Sequence, residues 1–123
     1  VVIPRIESDL VEVFAAVGNK TLGEIEFKVT PQTVCTVMAV SGGYPEAYEK
    51  QKVINGLNLV TESTVFHAGT KIQDGNVVTN GGRVVAVSSF GSTKKEALDK
   101  SYASLKKISF DNMYFRSDIG FDL

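Results

Sequence analysis

Runs of β-branched residues that end at glycines constrain the fold of this chain more than any other feature. Valine, isoleucine and threonine favour strands, and glycine permits turn angles that are closed to other residues. The runs that we assign to strands are Thr33–Ser41, Thr64–Lys71, Asn76–Thr79 and Arg83–Ser89. Asp74-Gly75 predicts a hairpin turn, and Gly81-Gly82 turns the chain into the last run. We therefore expect three consecutive antiparallel strands between residues 64 and 89.

Two amphipathic patterns predict helices on either side of these strands. A short helix over 9–17 is capped by Ser8 or Asp9 and stopped by Gly18; its buried face carries Leu10, Val13, Phe14 and Val17. A longer helix over 93–106 is capped by Ser92 or Thr93; its buried face carries Ala97, Leu98, Ser101, Tyr102 and Leu105. Both helices have the spacing of an element that packs on a sheet.

The remaining segments complete an α+β reading. Alternation over 24–29 predicts a strand whose inner face carries Ile25, Phe27 and Val29. Residues 46–57 read as a loop with one possible helical turn, and a short final strand is expected near 108–114. We predict an α+β domain with a curled antiparallel sheet, a half-barrel, packed with one long and one short helix.

Composition narrows the classes of function. Thirteen basic and fourteen acidic residues give a net charge of −1, which argues against nucleic acid or an anionic membrane as partner. No apolar stretch approaches a membrane span, and the lone Cys35 lies in an apolar run that suits a small buried side chain. We expect a cytoplasmic protein. The apolar opening Val1-Val2-Ile3-Pro4 reads as a cut end, so we expect the natural chain to continue upstream.

Five ordered strings carry a resemblance to a known family. They are Pro4–Leu10 (PRIESDL), Ser41–Pro45 (SGGYP), Val65–Thr70 (VFHAGT), Thr79–Val84 (TNGGRV) and Arg116–Gly120 (RSDIG). In order and spacing they resemble the C-terminal part of the phosphoribosylamine–glycine ligases of the ATP-grasp superfamily. The chain departs from that pattern at Gln51, where the family commonly has glycine, at an extra residue between Ala39 and Ser41, and in its last three residues.

The resemblance implies a fold, a reaction and a division of the chain. Residues 1–20 would be the tail of the ATP-grasp region, and 21–123 the C-terminal domain with a rudiment of its hybrid motif. The reaction would join glycine to 5-phosphoribosylamine, with ATP, to give glycinamide ribonucleotide, ADP and phosphate. ATP and Mg²⁺ or Mn²⁺ would be held by upstream domains of the same chain, so the fragment would bind none and be inactive alone.

Arg83 with Gly81 and Gly82 is the first candidate binding site. Exposed backbone N–H groups at glycine turns and a planar guanidinium suit the phosphate of phosphoribosylamine. The alternative is that the hairpin requires the glycines and that Arg83 is a solvated strand residue. The loop with Gly43 and Tyr44 is the second candidate, as a cavity lining; the alternative is a turn with the tyrosine ring as a lid over the core.

His67 is the third candidate, either at the cavity rim or in a structural hydrogen bond. We assign no catalytic residue and no metal ligand. Glu7 and Asp9 fit the start of a helix better than a metal pair, and Arg116 with Asp118 suits a salt bridge. The alternatives to the ligase reading are another ATP-grasp carboxylase or ligase and a free-standing ligand-binding module.

Overall fold

The structure, a computed structural model, describes residues 1–122 and has two helices and six strands in that range. In chain order they are α1 (Leu10–Asn19), β1 (Thr33–Ser41), β2 (Thr64–His67), β3 (Thr70–Gln73), β4 (Asn76–Thr79), β5 (Arg83–Gly91), α2 (Lys94–Leu105) and β6 (Met113–Tyr114). Short 3₁₀ turns lie at Ile3–Arg5, Leu22–Glu24 and Leu57–Leu59. The predicted α+β class is confirmed.

The main sheet is antiparallel and open, with strand order β2-β5-β1-β6. β1 runs alongside β5 from the pair Thr33 and Gly91 onward, and a bulge between Ala39 and Val40 shifts the register where β5 begins. β1 coincides with the predicted run 33–41. The bulge lies at the end of the sheet that is next to the Gly81-Gly82 turn, and it changes the direction of the chain as it leaves β1.

The expectation of three consecutive antiparallel strands is wrong. β3 and β4 form a separate hairpin around the predicted Asp74-Gly75 turn, and β5 pairs with β1 and β2 instead of β4. The predicted strand 64–71 is broken at Ala68 and Gly69, whose N–H groups both donate to the Val84 carbonyl, at 3.0 and 3.1 Å. This bend carries the chain away from the main sheet and into the hairpin.

The core lies between α2 and the face of the main sheet formed by β1 and β5. Val37, Val85, Val87 and Leu105 are fully buried there. Thr93 caps α2 by accepting from the Glu96 N–H at 3.2 Å, and the helix forms as predicted. Burial of aliphatic side chains supplies about 25 cal/mol for each square ångström removed from water, so this layer dominates the stability of the domain.

Hydroxyl groups join α2 to the sheet at one end of this layer. Ser63 Oγ lies 2.7 Å from Ser89 Oγ and 2.6 Å from Ser104 Oγ, and Ser101 Oγ donates to the Cys35 carbonyl at 3.1 Å. Cys35 itself is half-buried rather than fully buried. Burial raises the pKa of its thiol, which disfavours the reactive thiolate.

The amino-terminal segment departs most from expectation. α1 begins as predicted, with the Asp9 carboxylate accepting from the Val11 N–H at 2.7 Å, but it ends at Asn19 and is capped by Lys20 in the left-handed region, so Gly18 is not its stop. Phe14 and Val17, predicted to be buried, are 67% and 54% exposed. Leu10 and Val13, on the same predicted face, are half-buried, so the described residues cover only part of the apolar face of α1.

The strand predicted over 24–29 is also wrong, because its only strand partner is too short. Ile6 and Val29 form a single antiparallel bridge, with hydrogen bonds from the Glu7 N–H to the Lys28 carbonyl at 3.0 Å and from the Thr30 N–H to the Arg5 carbonyl at 2.8 Å. The final strand is shorter than predicted: β6 has two residues. The segment before it buries Ile108 and Phe110 and bridges Ser109 to Asn55.

Candidate functional site

Three glycine-containing segments meet where β1 ends and β5 begins. We call this place the glycine corner; it comprises residues 41–44, 67–70 and 81–83. Ser41 ties two of the segments together, since its N–H donates to the Gly82 carbonyl at 2.8 Å and its hydroxyl donates to the Gly81 carbonyl at 3.1 Å. The predicted candidate residues, taken from distant parts of the sequence, therefore lie in one region of the structure.

Backbone packs directly on backbone between Gly69 and Gly81. A Cβ atom on Gly69 would lie 2.8 Å from the Gly81 Cα and would collide with the Arg83 carbonyl oxygen. The Asn80 N–H donates to the Gly69 carbonyl at 2.7 Å, which closes the turn between β4 and β5 against the bend after β2. Any side chain at position 69 would force these segments apart.

The ring of Tyr44 lies on Gly82. A Cβ on that buried glycine would be 2.5 Å from the Tyr44 Cε2 and 2.8 Å from its Cγ. Gly43 precedes the ring at φ +91°, a left-handed angle that favours glycine, and the Tyr48 ring meets Tyr44 edge-on at 5.9 Å. Tyr44 is 40% exposed, so its ring covers the glycine turn on one side and faces solvent on the other.

Arg83 stands at the exposed side of this corner. Its guanidinium forms no hydrogen bond or ion pair with any residue in the range 1–122. The N–H groups of Gly81 and Gly82 likewise donate to no described residue. Gly81 is half-buried and Gly82 is buried, so the exposed part of this arrangement is the guanidinium. A guanidinium next to backbone N–H groups without partners is a combination that binds phosphate and carboxylate oxygens.

His67 lies at the end of β2, beside the same turn. Its Nδ1 is 2.9 Å from the Thr70 hydroxyl, and the side chain is exposed. Thr70 is the first residue of β3, so the imidazole is held against the start of the hairpin. This contact agrees with the structural hydrogen bond that the sequence analysis offered as one of the two alternatives for His67.

Arg116 and Asp118 form the predicted salt bridge, and Arg116 lines a cavity of about 220 Å³ together with Tyr44. Both contacts of the bidentate pair measure 2.8 Å. Hydrogen bonding to Arg116 lowers the pKa of the Asp118 carboxyl, and the same bonds raise the pKa of the guanidinium. The pair is satisfied internally, in contrast to Arg83.

Two further findings concern metal sites and membrane-spanning helices in residues 1–122. They contain no group of three or more His, Cys, Asp or Glu side chains that could hold a metal ion. No described helix has the length and apolarity that crossing a membrane requires.

Two residues that organise the glycine corner, Ser41 and Gly69, were not identified from the sequence. For Gly69 a signal was available, because an isolated glycine inside a strand pattern indicates a bulge or a close approach of two backbone segments.

Comparison with known proteins gives a consistent result. The sequence model of the family described as phosphoribosylglycinamide synthetase, C domain, matches residues 33–122. A phosphoribosylamine–glycine ligase of Vibrio parahaemolyticus is 44% identical over 95% of this chain and 28% of its own length. A bifunctional purine biosynthetic protein of Schizosaccharomyces pombe is 44% identical over 96% of this chain and 15% of its own.

A solved structure agrees with these sequence matches. The crystal structure of a phosphoribosylamine–glycine ligase from Thermotoga maritima superposes with a TM-score of 0.70 at 34% identity, over 87% of this chain and 27% of that one. The chain thus spans less than a third of the length of these relatives.

Proposed function

Because the chain belongs to the phosphoribosylglycinamide synthetase C-domain family, we propose that it is the C domain of a phosphoribosylamine–glycine ligase and forms one wall of its substrate site. The whole enzyme would join glycine to 5-phosphoribosylamine in purine biosynthesis, with ATP converted to ADP and phosphate. The names of the relatives support this reaction. Since the chain spans 28% of the Vibrio ligase, most of such an enzyme lies outside it.

Within that enzyme, the glycine corner would bind the phosphate of phosphoribosylamine. The observation that carries this proposal is the Arg83 guanidinium, unpaired among the described residues, beside the free N–H groups of Gly81 and Gly82. A phosphate dianion can accept from all three, and charge-assisted bonds of this kind are about twice as strong as neutral ones. Tyr44 and Gly43 would contact the bound substrate from one side and His67 from the other.

ATP and its Mg²⁺ or Mn²⁺ would be held by the preceding ATP-grasp domains, with residues 1–20 as the tail of that region. Hydrogen bonds between residues 5–7 and 28–30 would then join this tail to the beginning of the C-terminal domain. We therefore expect the isolated chain to perform no ligation. We also expect a cytoplasmic enzyme, since its substrates are small and soluble.

A chimera tests the proposal. The C-terminal region of the Vibrio ligase is replaced by this chain, and the KM values for phosphoribosylamine and for glycine are measured separately. Arg83→Ala should raise the KM for phosphoribosylamine by roughly 10- to 100-fold, the effect of losing a charged hydrogen bond, and leave the KM for glycine unchanged. Arg83→Lys keeps the positive charge but lacks the planar guanidinium, so its KM for phosphoribosylamine should lie between those of the wild type and Arg83→Ala.

Lys95→Ala is the matched control. Lys95 is an exposed cation on α2 that pairs with Asp99 at 2.6 Å, and its removal should alter neither KM. An Arg83→Ala chimera with an unchanged KM for phosphoribosylamine would refute phosphate binding at the glycine corner. A wild-type chimera that is folded but cannot ligate would refute the assignment of this chain as the domain of such an enzyme.

A further inference from the structure

A cavity of about 380 Å³ opens in the amino-terminal part of the chain, away from the glycine corner. Its lining is mostly apolar and includes Val2, Ile6, Phe27, Val29 and Val34. Val2 is 70% exposed and Phe27 is 49% exposed. Exposed apolar side chains that surround a cavity mark a place where another segment of protein binds.

Arg5 lines the same cavity and is the one charged side chain among its lining residues. Its Nη2 donates to the Thr30 carbonyl at 3.1 Å, whereas its Nε is buried and has no hydrogen-bond partner among residues 1–122. No described carboxylate lies within ion-pair distance of this guanidinium. It is the only buried side-chain nitrogen or oxygen in the described chain without a partner.

A guanidinium that lines an apolar cavity without an ion-pair partner is costly, and a carboxylate is the group that neutralises it best. Because the Nε is buried within this chain, an incoming carboxylate would pair with the terminal nitrogens of the guanidinium, where a charge-assisted hydrogen bond is about twice as strong as a neutral one. The apolar walls add a second requirement, because they disfavour a hydrated ion and favour a carboxylate that arrives on a side chain with apolar neighbours. The cavity therefore selects an acidic residue in an apolar segment.

We propose that this cavity receives an Asp or Glu side chain from the part of the ligase that precedes this domain, and that the carboxylate pairs with Arg5. The inference rests on the proposed function, since it needs a larger enzyme to supply the segment. The relatives provide such a segment: this chain accounts for 28% of the Vibrio ligase and 15% of the fission-yeast protein. Arg5 would then be an interdomain anchor with no contact to the substrates.

Cross-linking in the chimera described above identifies the partner directly. In an Arg5→Lys variant, a carbodiimide joins the new amine to any carboxylate in contact with it, and mass spectrometry locates the bond. We expect a cross-link from position 5 to an acidic residue of the Vibrio portion. Lys28 and Glu26, at 3.2 Å, supply the internal control. The control cross-link without one from position 5 to the Vibrio portion would overturn the proposal.

Unfolding in two contexts provides the second readout. Arg5→Gln should lower the melting temperature of the isolated chain only by the loss of the hydrogen bond to the Thr30 carbonyl, and should lower that of the chimera by several degrees more. Arg116→Gln, which removes an exposed arginine paired within this chain, should act equally in both. An equal loss for Arg5→Gln in both contexts would overturn the proposal, since the arginine would then serve only its contact with Thr30.

Free anions offer a third outcome. If phosphate or glycine at millimolar concentration stabilises the isolated chain, and Arg5→Gln abolishes that effect, the cavity binds a small anion and the docking proposal fails. These measurements are independent of the KM for phosphoribosylamine. Failure of the glycine corner as a phosphate site would leave the cross-link intact, and failure of the cross-link would leave the effect of Arg83→Ala intact.

Discussion

Replacing Gly82 by alanine tests whether the Tyr44 ring is what makes this glycine necessary. Gly82 does not have a left-handed backbone angle, so alanine brings no conformational strain of that kind. The added methyl group would instead lie 2.5 Å from the Tyr44 Cε2 and 2.8 Å from its Cγ, far inside van der Waals contact. The ring must move, because a contact at its Cγ cannot be relieved by rotating the ring about its own axis.

The size of the effect follows from what the ring loses when it moves. Overpacking a well-filled site costs about 1–3 kcal/mol, and the edge-on contact with Tyr48 at 5.9 Å contributes about 0.5–1.5 kcal/mol of what is lost. Tyr44 is already 40% exposed, so the ring can swing towards solvent and the cost should not exceed the middle of that range. We expect Gly82→Ala to lower the free energy of unfolding by about 2 kcal/mol.

A double-mutant cycle measures this coupling. Urea unfolding is followed for the wild type, Gly82→Ala, Tyr44→Ala and the double variant. With the ring removed, Gly82→Ala should cost less than about 0.5 kcal/mol, so most of its effect should appear as interaction energy between the two positions. If Gly82→Ala costs the same in both backgrounds, the clash is not with Tyr44 and the described packing of the corner is wrong.

Two more predictions concern stability. Gln51 has φ 65°, a left-handed angle, at a position where the family commonly has glycine. Gln51→Gly should therefore raise the free energy of unfolding by about 0.5–1 kcal/mol, whereas Lys50→Gly should lower it. Urea unfolding of the two variants measures both changes. Hydrogen bonds from Lys100 and then Ser92 lower the pKa of Glu96 from 4.5 to about 2. The ionised Glu96 carboxylate therefore stabilises the fold fully above pH 4.5, and this stabilisation is lost as the pH falls towards 2. The urea concentration at the midpoint of unfolding should decline less steeply with falling pH in Glu96→Gln than in the wild type. Equal declines in the two proteins would contradict this reasoning.

Local signals predicted the elements whose determinants lie close together in sequence. Thr93 and Glu96 define the start of α2 within a single turn, and Asp74-Gly75 defines a two-residue hairpin. The run 33–41 forms a strand because its buried face has a partner on both β5 and α2. In each case the residues that decide the structure fall within a few positions of one another or form one uninterrupted apolar run.

The errors arose where structure depends on a distant partner. Residues 24–29 alternate as a strand does, yet only Ile6 is placed to bridge Val29, and Phe27 stays 49% exposed. Phe14 has helical spacing, yet none of residues 1–122 covers it and it is 67% exposed. The glycine corner shows the same limit: the sequence indicated Gly81, Gly82 and Tyr44 as candidates, but no local pattern could show that the ring of one lies on the backbone of another.

The central position of β5 has a consequence for how the domain opens. Its residues Val84, Val85 and Val87 have no exposed surface, and its two edges are hydrogen-bonded to β1 and β2. α2 follows it after a two-residue connection and packs back on it, so this pair can form early at a small cost in loop entropy. The amide hydrogens of β5 should therefore exchange with deuterium last, through global unfolding alone, while those of the amino-terminal segment exchange through local opening.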